Sequence, residues 1–357
     1  MDIRIYYLNL GSLAFIGLIL ILIVSIMVIM FIRNEKERKH QRWKFISEML
    51  IRKAIFSDEL EEAESNLLQT PRIQKLLLNR HFRKVLTSEL INARKNMSGS
   101  SSRNIINLYK QLRLHQESLL KLKTGKWYEK AQVIQEVSIM EMKEHLTKIY
   151  RFINNANDLL RMEAQIAVIR LYGFEGFRFL DVVTYPISEW QQIKLLATLS
   201  DLPPDNFTGI EKWLHSTNHT VVIFALKLVK VYHRFELHDQ VTPCLQHPAE
   251  LVRIQAIITL GEIYNDQTSA ILILRYLKET FKSQMAIIKV LQEIGTDDDL
   301  PVLQDQLSTD NIELKVTIAR AMVKIGPAGA DCLRTHEHAS QYPLTEIIAQ
   351  IETELSV

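Results

Sequence analysis

Histidines and carboxylates in two polar stretches are the residues of this chain that could hold a metal ion. His215 and His219 are four residues apart, but Ser216-Thr217-Asn218 between them is typical of a turn, which removes the helical spacing of two ligands. His336-Glu337-His338 follows Cys332, yet no CxxC or HExxH pattern accompanies it, and a polar turn before a helix explains the same residues. We therefore expect no metal site in either stretch.

The other residues with catalytic potential also have structural explanations. Asp297-Asp298-Asp299 directly precedes an apolar helical stretch, where carboxylates complement the positive end of the helix dipole, so we expect a helix cap there. Neither Cys244 nor Cys332 has a histidine pattern that indicates an activated thiolate, and the GxSxG, GxxxxGK[ST] and GxGxxG motifs are absent. The sequence predicts a protein that is not an enzyme, with no cofactor and no small-molecule substrate.

These residues lie in a part of the chain where short apolar helical stretches recur about every thirty residues. Seven apolar residues, each closing a short apolar helical stretch, recur at intervals of 34, 28, 32, 32, 31 and 31. A period near thirty is typical of a solenoid, in which a helix hides its apolar stripe by stacking on its neighbours. Strand-like alternation is absent, so we predict an all-α fold with repeats over residues 126–335 and a capping helix in 336–357. The seven residues are Val137, Leu171, Leu199, Val231, Ile263, Ile294 and Ile325.

The clearest copy resembles a known kind of repeat. Val252-Arg253-Ile254-Gln255-Ala256, followed by Leu260-Gly261-Glu262-Ile263, is similar to the second helix of a HEAT repeat of the bilin-lyase-like kind. The turn before it, His247-Pro248-Ala249-Glu250, is also similar, and Asp310 to Lys315 matches the same stretch further along. The resemblance implies an α-solenoid. It does not bring lyase chemistry, because HEAT arrays serve many unrelated functions.

The resemblance also implies residue roles. In such families a cation on the second helix and a carboxylate in the turn often form a ladder between repeats; Asp310 fits this pattern and His247 does not, so we expect an interrupted ladder. Second helices of HEAT arrays line the concave side, and their charges here are mixed in sign, so a partner recognised by one simple charge is not expected. The candidate interaction surface is Arg161, Arg170, Lys230, Arg253, Glu262, Glu293, Lys315 and Lys324.

An apolar segment near the N-terminus predicts a membrane anchor. Residues 8–32 are almost wholly apolar, and 25 residues at 1.5 Å each give about 37 Å, enough to cross a hydrocarbon core of about 30 Å. A signal peptide would have an apolar region of about 7–15 residues and a small-x-small cleavage site, which Met30-Phe31-Ile32-Arg33 lacks. We expect an uncleaved single-pass helix after a short extracytoplasmic stretch, residues 1–7.

The charges beside the anchor predict its orientation. Six cations follow it within residues 33–44, whereas only Asp2 and Arg4 are charged ahead of it, so the positive-inside bias places the C-terminal part in the cytoplasm, at the inner (plasma) membrane. Two cysteines, Cys244 and Cys332, are in keeping with a reducing compartment. Because these cations lie next to the anchor, anionic lipid headgroups are also expected as partners. The candidate membrane-surface contacts are Arg33, Lys36, Arg38, Lys39, Arg42, Trp43, Lys44, Arg80, Arg83 and Lys84.

Between the anchor and the repeats we expect more helices. Residues 33–57 predict a basic juxtamembrane helix, and residues 58–125 a helical lead-in, either degenerate repeats or a separate domain. Within it, Ser57-Asp58 favours the start of a short helix, Pro71 starts a helix that runs to about residue 97, and residues 98–102 predict a flexible Ser/Gly linker. The basic run in 72–95 is either a solvated helix face or a contact with anionic lipid. Nucleic acid is not expected, because no stacking aromatics accompany these cations.

Two functions fit these features. The first is a membrane-anchored scaffold whose helical array binds protein partners; anchored bacterial HEAT proteins of this look accompany polysaccharide-synthesising or two-component signalling machinery, and the resemblance implies a similar association. The alternative is a membrane-bound enzyme or accessory that holds a tetrapyrrole or another bulky ligand in the concave groove. The sequence favours the scaffold, because it shows no convergent polar groups for such a ligand.

Overall fold

The fold is helical throughout the part of the chain that the structure describes. The computed structural model describes residues 2–56, 70–199 and 209–355, and every regular element in these ranges is a helix. The prediction of an all-α fold is confirmed. The chain divides into two compact units, Met1–Leu171 and Tyr172–Val357. The short helix expected to start at Ser57-Asp58 lies outside the described residues.

The first helix is unusually long. Helix α1 runs from Asp2 to Phe56 without a break, which is 55 residues and therefore about 80 Å at 1.5 Å per residue. Its large apolar side chains from Phe15 to Ile32 are exposed, and the mean hydropathy of its most apolar window is 3.3. Among the described residues this is the one helix long and apolar enough to cross a membrane, by length and composition.

The C-terminal part of α1 is built into the first unit. It packs against the helices Arg80–Asn96 and Gly99–Gln111, so that Leu50, Ile51 and Ala54 are buried. The juxtamembrane helix, which the sequence predicts as a continuation of the apolar segment, is the C-terminal part of α1. The remaining helices of the unit are α2 (Pro71–Leu77), α3 (Arg80–Asn96), α4 (Gly99–Gln111), α5 (His115–Thr124), α6 (Trp127–Ile139), α7 (Leu146–Tyr150, after a 3-10 turn Lys143–His145) and α8 (Asp158–Tyr172).

Two expectations for this unit are wrong. The single helix expected from Pro71 to residue 97 is divided, because Asn79 caps a new helix by accepting hydrogen bonds from the backbone N–H groups of His81 and Phe82, at 2.9 and 3.2 Å. The flexible linker expected at residues 98–102 is instead the first turn of α4. Ser102 is buried beside the apolar stripe of α4, so small polar residues here serve helix packing rather than flexibility.

The second unit consists of paired helices. Short elements precede longer second helices, and the four second helices from His219–Val231 to Ile312–Ile325 stack each on the next. The second helices are α9 (Glu189–Leu199), α10 (His219–Val231), α12 (Glu250–Glu262), α14 (Phe281–Ile294), α16 (Ile312–Ile325) and α18 (Leu344–Leu355). The elements before them are 3-10 helices Gly173–Asp181, Glu211–His215, Phe235–Leu237 and Thr242–Gln246, helices α11 (His238–Val241), α13 (Thr268–Tyr276), α15 (Leu300–Gln306, after a 3-10 turn Asp297–Asp299) and α17 (Pro327–Thr335).

The repeat is more regular in the structure than in the sequence. Helices α6, α8, α9, α10, α12, α14, α16 and α18 start at residues 127, 158, 189, 219, 250, 281, 312 and 344, so successive starts are 31, 31, 30, 31, 31, 31 and 32 residues apart. The apolar residues used above give uneven steps because they mark helix ends. Val231, for example, is 52% exposed, and the residue 31 positions before Ile263 is Tyr232. The expected capping helix is, with α17, one more helix pair.

Turn chemistry recurs with the same step. The residue just before helices α8, α10, α12 and α16 donates its backbone N–H to a polar side chain two residues earlier. His247 accepts this hydrogen bond from Ala249, so it has a defined role in its turn although it does not fit the carboxylate ladder. The four acceptors are Asn155, Ser216, His247 and Thr309, at 3.0, 3.2, 3.0 and 3.4 Å.

Small residues let the second helices approach closely. Ala256 is fully buried on α12. A Cβ atom added at Gly261 would lie 2.7 Å from Cγ1 of Val290 on α14, closer than side chains can approach without a shift. A hydrogen bond also joins α12 to α10: the buried hydroxyl of Thr259 donates to the backbone oxygen of Leu226 at 3.1 Å. This close seam fixes the phase of the faces that the second helices expose.

Candidate protein-interaction surface

The exposed side of the stacked second helices carries a groove. It has a volume of about 420 Å³ and lies between α12 and α14, with Lys230 of α10 at one end. Its floor is apolar, and its margins are charged. The apolar lining residues are Ile254, Ile258, Gly261, Met285, Ala286 and Val290, and the charged ones are Lys230, Glu262, Lys282, Lys289 and Glu293.

The floor continues along the array at the repeat step. Ile254 and Met285, both in the groove, are 31 residues apart, and Ile223 on α10 and Val316 on α16 occupy the equivalent positions. Ile223, Ile254 and Val316 are half-buried, and Met285 is buried at the floor of the groove. The apolar face therefore crosses four consecutive second helices. We call these four residues the apolar row.

Four of the residues expected on the interaction surface form two ion pairs beside this groove. Lys230 lies 3.7 Å from the Glu262 carboxylate, which His233 also approaches at 3.6 Å. Lys324 on α16 pairs with Glu293 on α14 at 2.7 Å. The first pair is half-buried and the second is exposed, and each joins neighbouring second helices. The sequence did not indicate that these residues pair, and their role in an interaction surface stays a prediction.

Arg161 and Arg253 do not belong to this exposed surface, and here the expectation was wrong. The Arg161 side chain is buried; its guanidinium donates to the backbone oxygen of Asn155 at 2.6 Å and to Asp158 at 2.7 Å. Arg253 donates to the backbone oxygen of His247 at 3.1 Å, also six residues earlier. The same cation thus caps the preceding turn in both repeats.

Arg253 also belongs to a buried ion cluster. Its guanidinium lies 2.9 Å from Glu279, and Arg275 lies 2.7 Å from the other oxygen of the same carboxylate. Burial by itself would raise the pKa of Glu279, but the hydrogen bonds and charges of the two arginines outweigh it and hold that pKa below its ordinary value. The cluster joins α12 to the element before α14. The last two expected residues, Arg170 on α8 and Lys315 on α16, are exposed and half-buried respectively.

The expected membrane-surface residues separate into two groups. On α1, Arg33, Lys36, Arg38, Lys39 and Arg42 are exposed and follow the apolar segment directly; Arg38 lies 3.8 Å from Glu35. Further along, Lys44 is half-buried and 4.0 Å from Glu48. This first group is placed where it can meet headgroups if the apolar segment spans a membrane.

Trp43 and two of the arginines have partners within the protein. The Trp43 ring meets Phe82 of α3 edge-to-face, with centroids 6.4 Å apart, so this half-buried residue contributes to packing between α1 and α3. Arg80 and Arg83 both pair with Glu117 of α5, and Arg83 also donates to the backbone oxygen of Arg113 at 3.0 Å. The solvated-face interpretation of the basic run fits these pairs. Lys84 is exposed.

The described residues contain no group of three histidine, cysteine or acidic side chains that could hold a metal ion. The cap expected at Asp297-Asp298-Asp299 is confirmed: Asp299 accepts a hydrogen bond from the backbone N–H of Thr296 at 2.9 Å. Cys244 is buried, and burial raises the pKa of its thiol to about 11, which disfavours a reactive thiolate.

Sequence reasoning missed a buried polar cluster in the first unit. The hydroxyl of Tyr109 on α4 donates to the carboxylate of Glu136 on α6. Burial, then the charge and hydrogen bond of Glu136, raise the pKa of Tyr109, and burial raises the pKa of Glu136. The His115 ring lies 6.1 Å from Tyr109 and 5.7 Å from His145. No periodic signal marks this cluster, because Tyr109 and His115 lie in helices that precede the repeat series and only Glu136 lies on one of its helices.

Sequence reasoning also missed the apolar row and the lysines that line the groove, Lys282 and Lys289. A comparison of the copies at 31-residue steps from the helix starts would have revealed both. Residues 239–324 match the family model of HEAT repeats, a segment that includes the Glu279 cluster and all the groove residues except Lys230. No curated protein matches the chain. Together with the all-helical architecture, the match indicates a helical protein with HEAT repeats.

Proposed function

We propose that this chain is a membrane-anchored scaffold that binds a protein partner on the exposed face of its second helices. The observation that carries the proposal is the groove and the apolar row, which lie in the HEAT segment except for Lys230 and Ile223, because HEAT repeats commonly mediate protein interactions. An apolar groove with charged margins on the exposed side of stacked helices is typical of a binding surface rather than of a catalytic site.

The anchor is the second part of the proposal. Residues 8–32 of α1 cross the membrane, the N-terminus lies outside, and the helical units lie on the cytoplasmic side of the inner (plasma) membrane. The exposed cations that directly follow the apolar segment support this orientation. Because α1 is unbroken, residues 33–42 span about 15 Å between the apolar segment and the docked part of the helix.

Anionic lipid is the proposed contact for the cations of that spacer. Each Lys or Arg near an anionic leaflet contributes about 1 kcal/mol of attraction. Arg80 and Arg83 are not needed for it, since both pair with Glu117. Membrane machinery for polysaccharide synthesis or signalling is a fitting source of protein partners, as the family resemblance implies.

Fractionation tests the anchor. The full chain is expected to remain in membranes through high salt and alkaline carbonate, because residues 8–32 are apolar enough to stay in the hydrocarbon core. Release by carbonate, or a mature N-terminus after residue 32, would overturn the anchor. Protease added to sealed spheroplasts is expected to leave the repeats intact, and digestion would reverse the orientation.

Affinity purification tests the scaffold. The tagged full chain, solubilised from membranes in mild detergent, is expected to co-elute with a defined protein, and a variant with Ile258→Glu in the groove is expected to lose it while keeping its thermal stability. The absence of any specific co-eluting protein would contradict the scaffold function. A visible absorbance band in the purified protein would instead favour the tetrapyrrole-binding alternative.

A further inference from the structure

The charges around the groove identify the chemistry of the partner. We propose, on the basis of the proposed scaffold function, that an extended, acidic segment of the partner protein crosses the second helices along the apolar row and occupies the groove between α12 and α14 on its way. Its apolar side chains would lie on the apolar row, and its carboxylates would pair with lysines at the margins. This extends the scaffold function by naming what kind of segment it recognises.

The apolar floor provides the first contact. Ile254, Ile258 and Met285 line the groove together with Ala286 and Val290. Ile254 and Ile258 are four residues apart and therefore on one face of α12. Burial of these side chains under a partner removes apolar surface from water and therefore favours binding.

The free cations provide the second contact. Lys282 and Lys289 are both exposed, line the groove, and are seven residues apart on the same face of α14. Lys227 lies 31 residues before Ile258, at the equivalent position of α10. Within the described residues, none of these three lysines forms an ion pair.

The carboxylates of the groove do not balance these lysines. Glu262 is already approached by Lys230 and His233, and Glu293 is already paired with Lys324. The carboxylates at the margin therefore have cationic partners of their own, while the unpaired charges on the same face are positive. Complementary charge favours an acidic ligand and disfavours a basic one.

The spacing of the apolar row favours an extended chain. Packed helices lie about 8–10 Å apart, so a segment that crosses them meets a new row position at that interval. A polyproline II chain advances about 3.1 Å per residue with three residues per turn, which places every third side chain on one face about 9 Å apart. An apolar residue at every third position, with acidic residues between, therefore matches the row.

A synthetic peptide tests this directly. The probe is a fluorescein-labelled peptide of five Leu-Glu-Pro repeats, measured by fluorescence anisotropy with the full chain in detergent micelles. We expect saturable binding that a peptide with Lys for Glu does not show, and weaker binding for a peptide of the same composition without the three-residue period. Equal binding of all three peptides, or no binding of the acidic one, overturns the proposal.

Matched variants locate the contact. Lys282→Glu with Lys289→Glu is expected to weaken binding of the Leu-Glu-Pro peptide by about tenfold or more, since like charges then meet. Lys278→Glu, an exposed lysine that follows α13 outside the groove, makes the same kind of charge change and is expected to bind as the unmodified chain does. Ile258→Gln is expected to weaken binding without changing the charge. Unchanged affinity in the groove variants, with unchanged melting temperatures, overturns the proposal.

The outcome separates this inference from the scaffold function. If the double variant still co-elutes with the protein that the unmodified chain retains, the scaffold stands and the acidic segment is wrong. If the unmodified chain retains no protein at all, the scaffold itself is wrong.

Discussion

Glu136 and Glu279 are both buried carboxylates, one in each unit, and their surroundings have opposite effects. Glu136 on α6 is 5% exposed and receives a hydrogen bond from the neutral hydroxyl of Tyr109; burial raises its pKa more than this bond lowers it. Glu279 is 8% exposed and lies between Arg253 and Arg275. Its pKa is lowered, because the two cations outweigh burial.

The comparison shows that the partner, and not burial, decides what a buried carboxylate contributes. A lowered pKa in the folded state means that Glu279 stabilises the fold above the unfolded pKa of about 4.3, and that this stability is lost as the pH falls through the folded pKa. The raised pKa of Glu136 gives the opposite sign: its contribution is present below about pH 4.3 and is lost as the pH rises through the folded pKa.

A third buried carboxylate, without any cation, gives the largest expected effect. Ala256→Glu would place a carboxylate at a fully buried position on the seam between second helices. Overpacking costs about 1–3 kcal/mol, and an unpaired buried charge costs more. We expect a large fall in the melting temperature of the full chain in detergent, measured by far-UV circular dichroism.

The neighbouring residue is the control for that substitution. Gln255 is half-buried on α12, so Gln255→Glu adds the same charge with access to solvent and is expected to change stability by less than about 0.5 kcal/mol. Equal melting temperatures for the two variants would show that the phase assigned to α12 is wrong.

Removing the charge of Glu279 is expected to have the next largest effect. Glu279→Gln keeps the shape of the side chain but weakens its bonds to Arg253 and Arg275, and hydrogen bonds to charged groups contribute about 1.5–3 kcal/mol. The loss is expected near pH 7 and should shrink as the pH falls below about 4.3, the unfolded pKa, towards the lower folded pKa of Glu279. Melting temperatures from pH 3 to pH 8 measure it; a loss that does not depend on pH contradicts the assigned cause.

Glu136→Gln is expected to have a smaller effect with the opposite dependence on pH. Near pH 4 the variant and the unmodified chain should have similar stability, because the Glu136 carboxyl is then mostly protonated in the fold. As the pH rises, the unmodified chain should lose stability relative to the variant, which has no buried charge to form. The same series of melting curves tests this, and a difference that changes in the other direction would refute the raised pKa.

An exposed pair gives the smallest expected effect. Lys324→Ala removes the partner of Glu293, and both side chains are more than half exposed. Exposed ion pairs contribute about 0–1 kcal/mol, so the melting temperature should barely change at moderate salt. A loss as large as that of Glu279→Gln would mean that the pair is shielded from solvent in the folded protein.

Much of the fold follows from the sequence because the repeat is periodic. The apolar stripe of Leu251 to Ile263 predicts a stacked helix, and α12 has this form, with Ala256 on the buried seam. The exact phase does not follow, because helix ends vary: Val231 closes an apolar stretch yet is exposed. The break at Asn79 was missed because a side-chain cap can interrupt a stretch whose apolar pattern continues.

The candidate surface was predicted less well, for a physical reason. A cation on a second helix can point to solvent or reach back to the preceding turn, and the sequence does not distinguish the two. Lys230 points away from the preceding turn and lies near Glu262 of the next second helix. Arg161 and Arg253 reach back to the preceding turn, because a guanidinium can bond several carbonyl and carboxylate oxygens at once. Long-range pairs such as Tyr109 with Glu136 depend on tertiary packing, which local pattern does not encode.

The unbroken α1 has a mechanical consequence. A helix that continues from its apolar segment into the packed core of the first unit acts as a stiff shaft, so a twist or a vertical shift of one end is passed to the other. Each residue turns the helix by about 100° and lifts it by about 1.5 Å. One residue inserted between Arg33 and Arg42 would therefore rotate the docked helices by more than a quarter turn relative to the apolar segment, whereas an inserted set of seven would nearly restore the original angle at about 10 Å greater height.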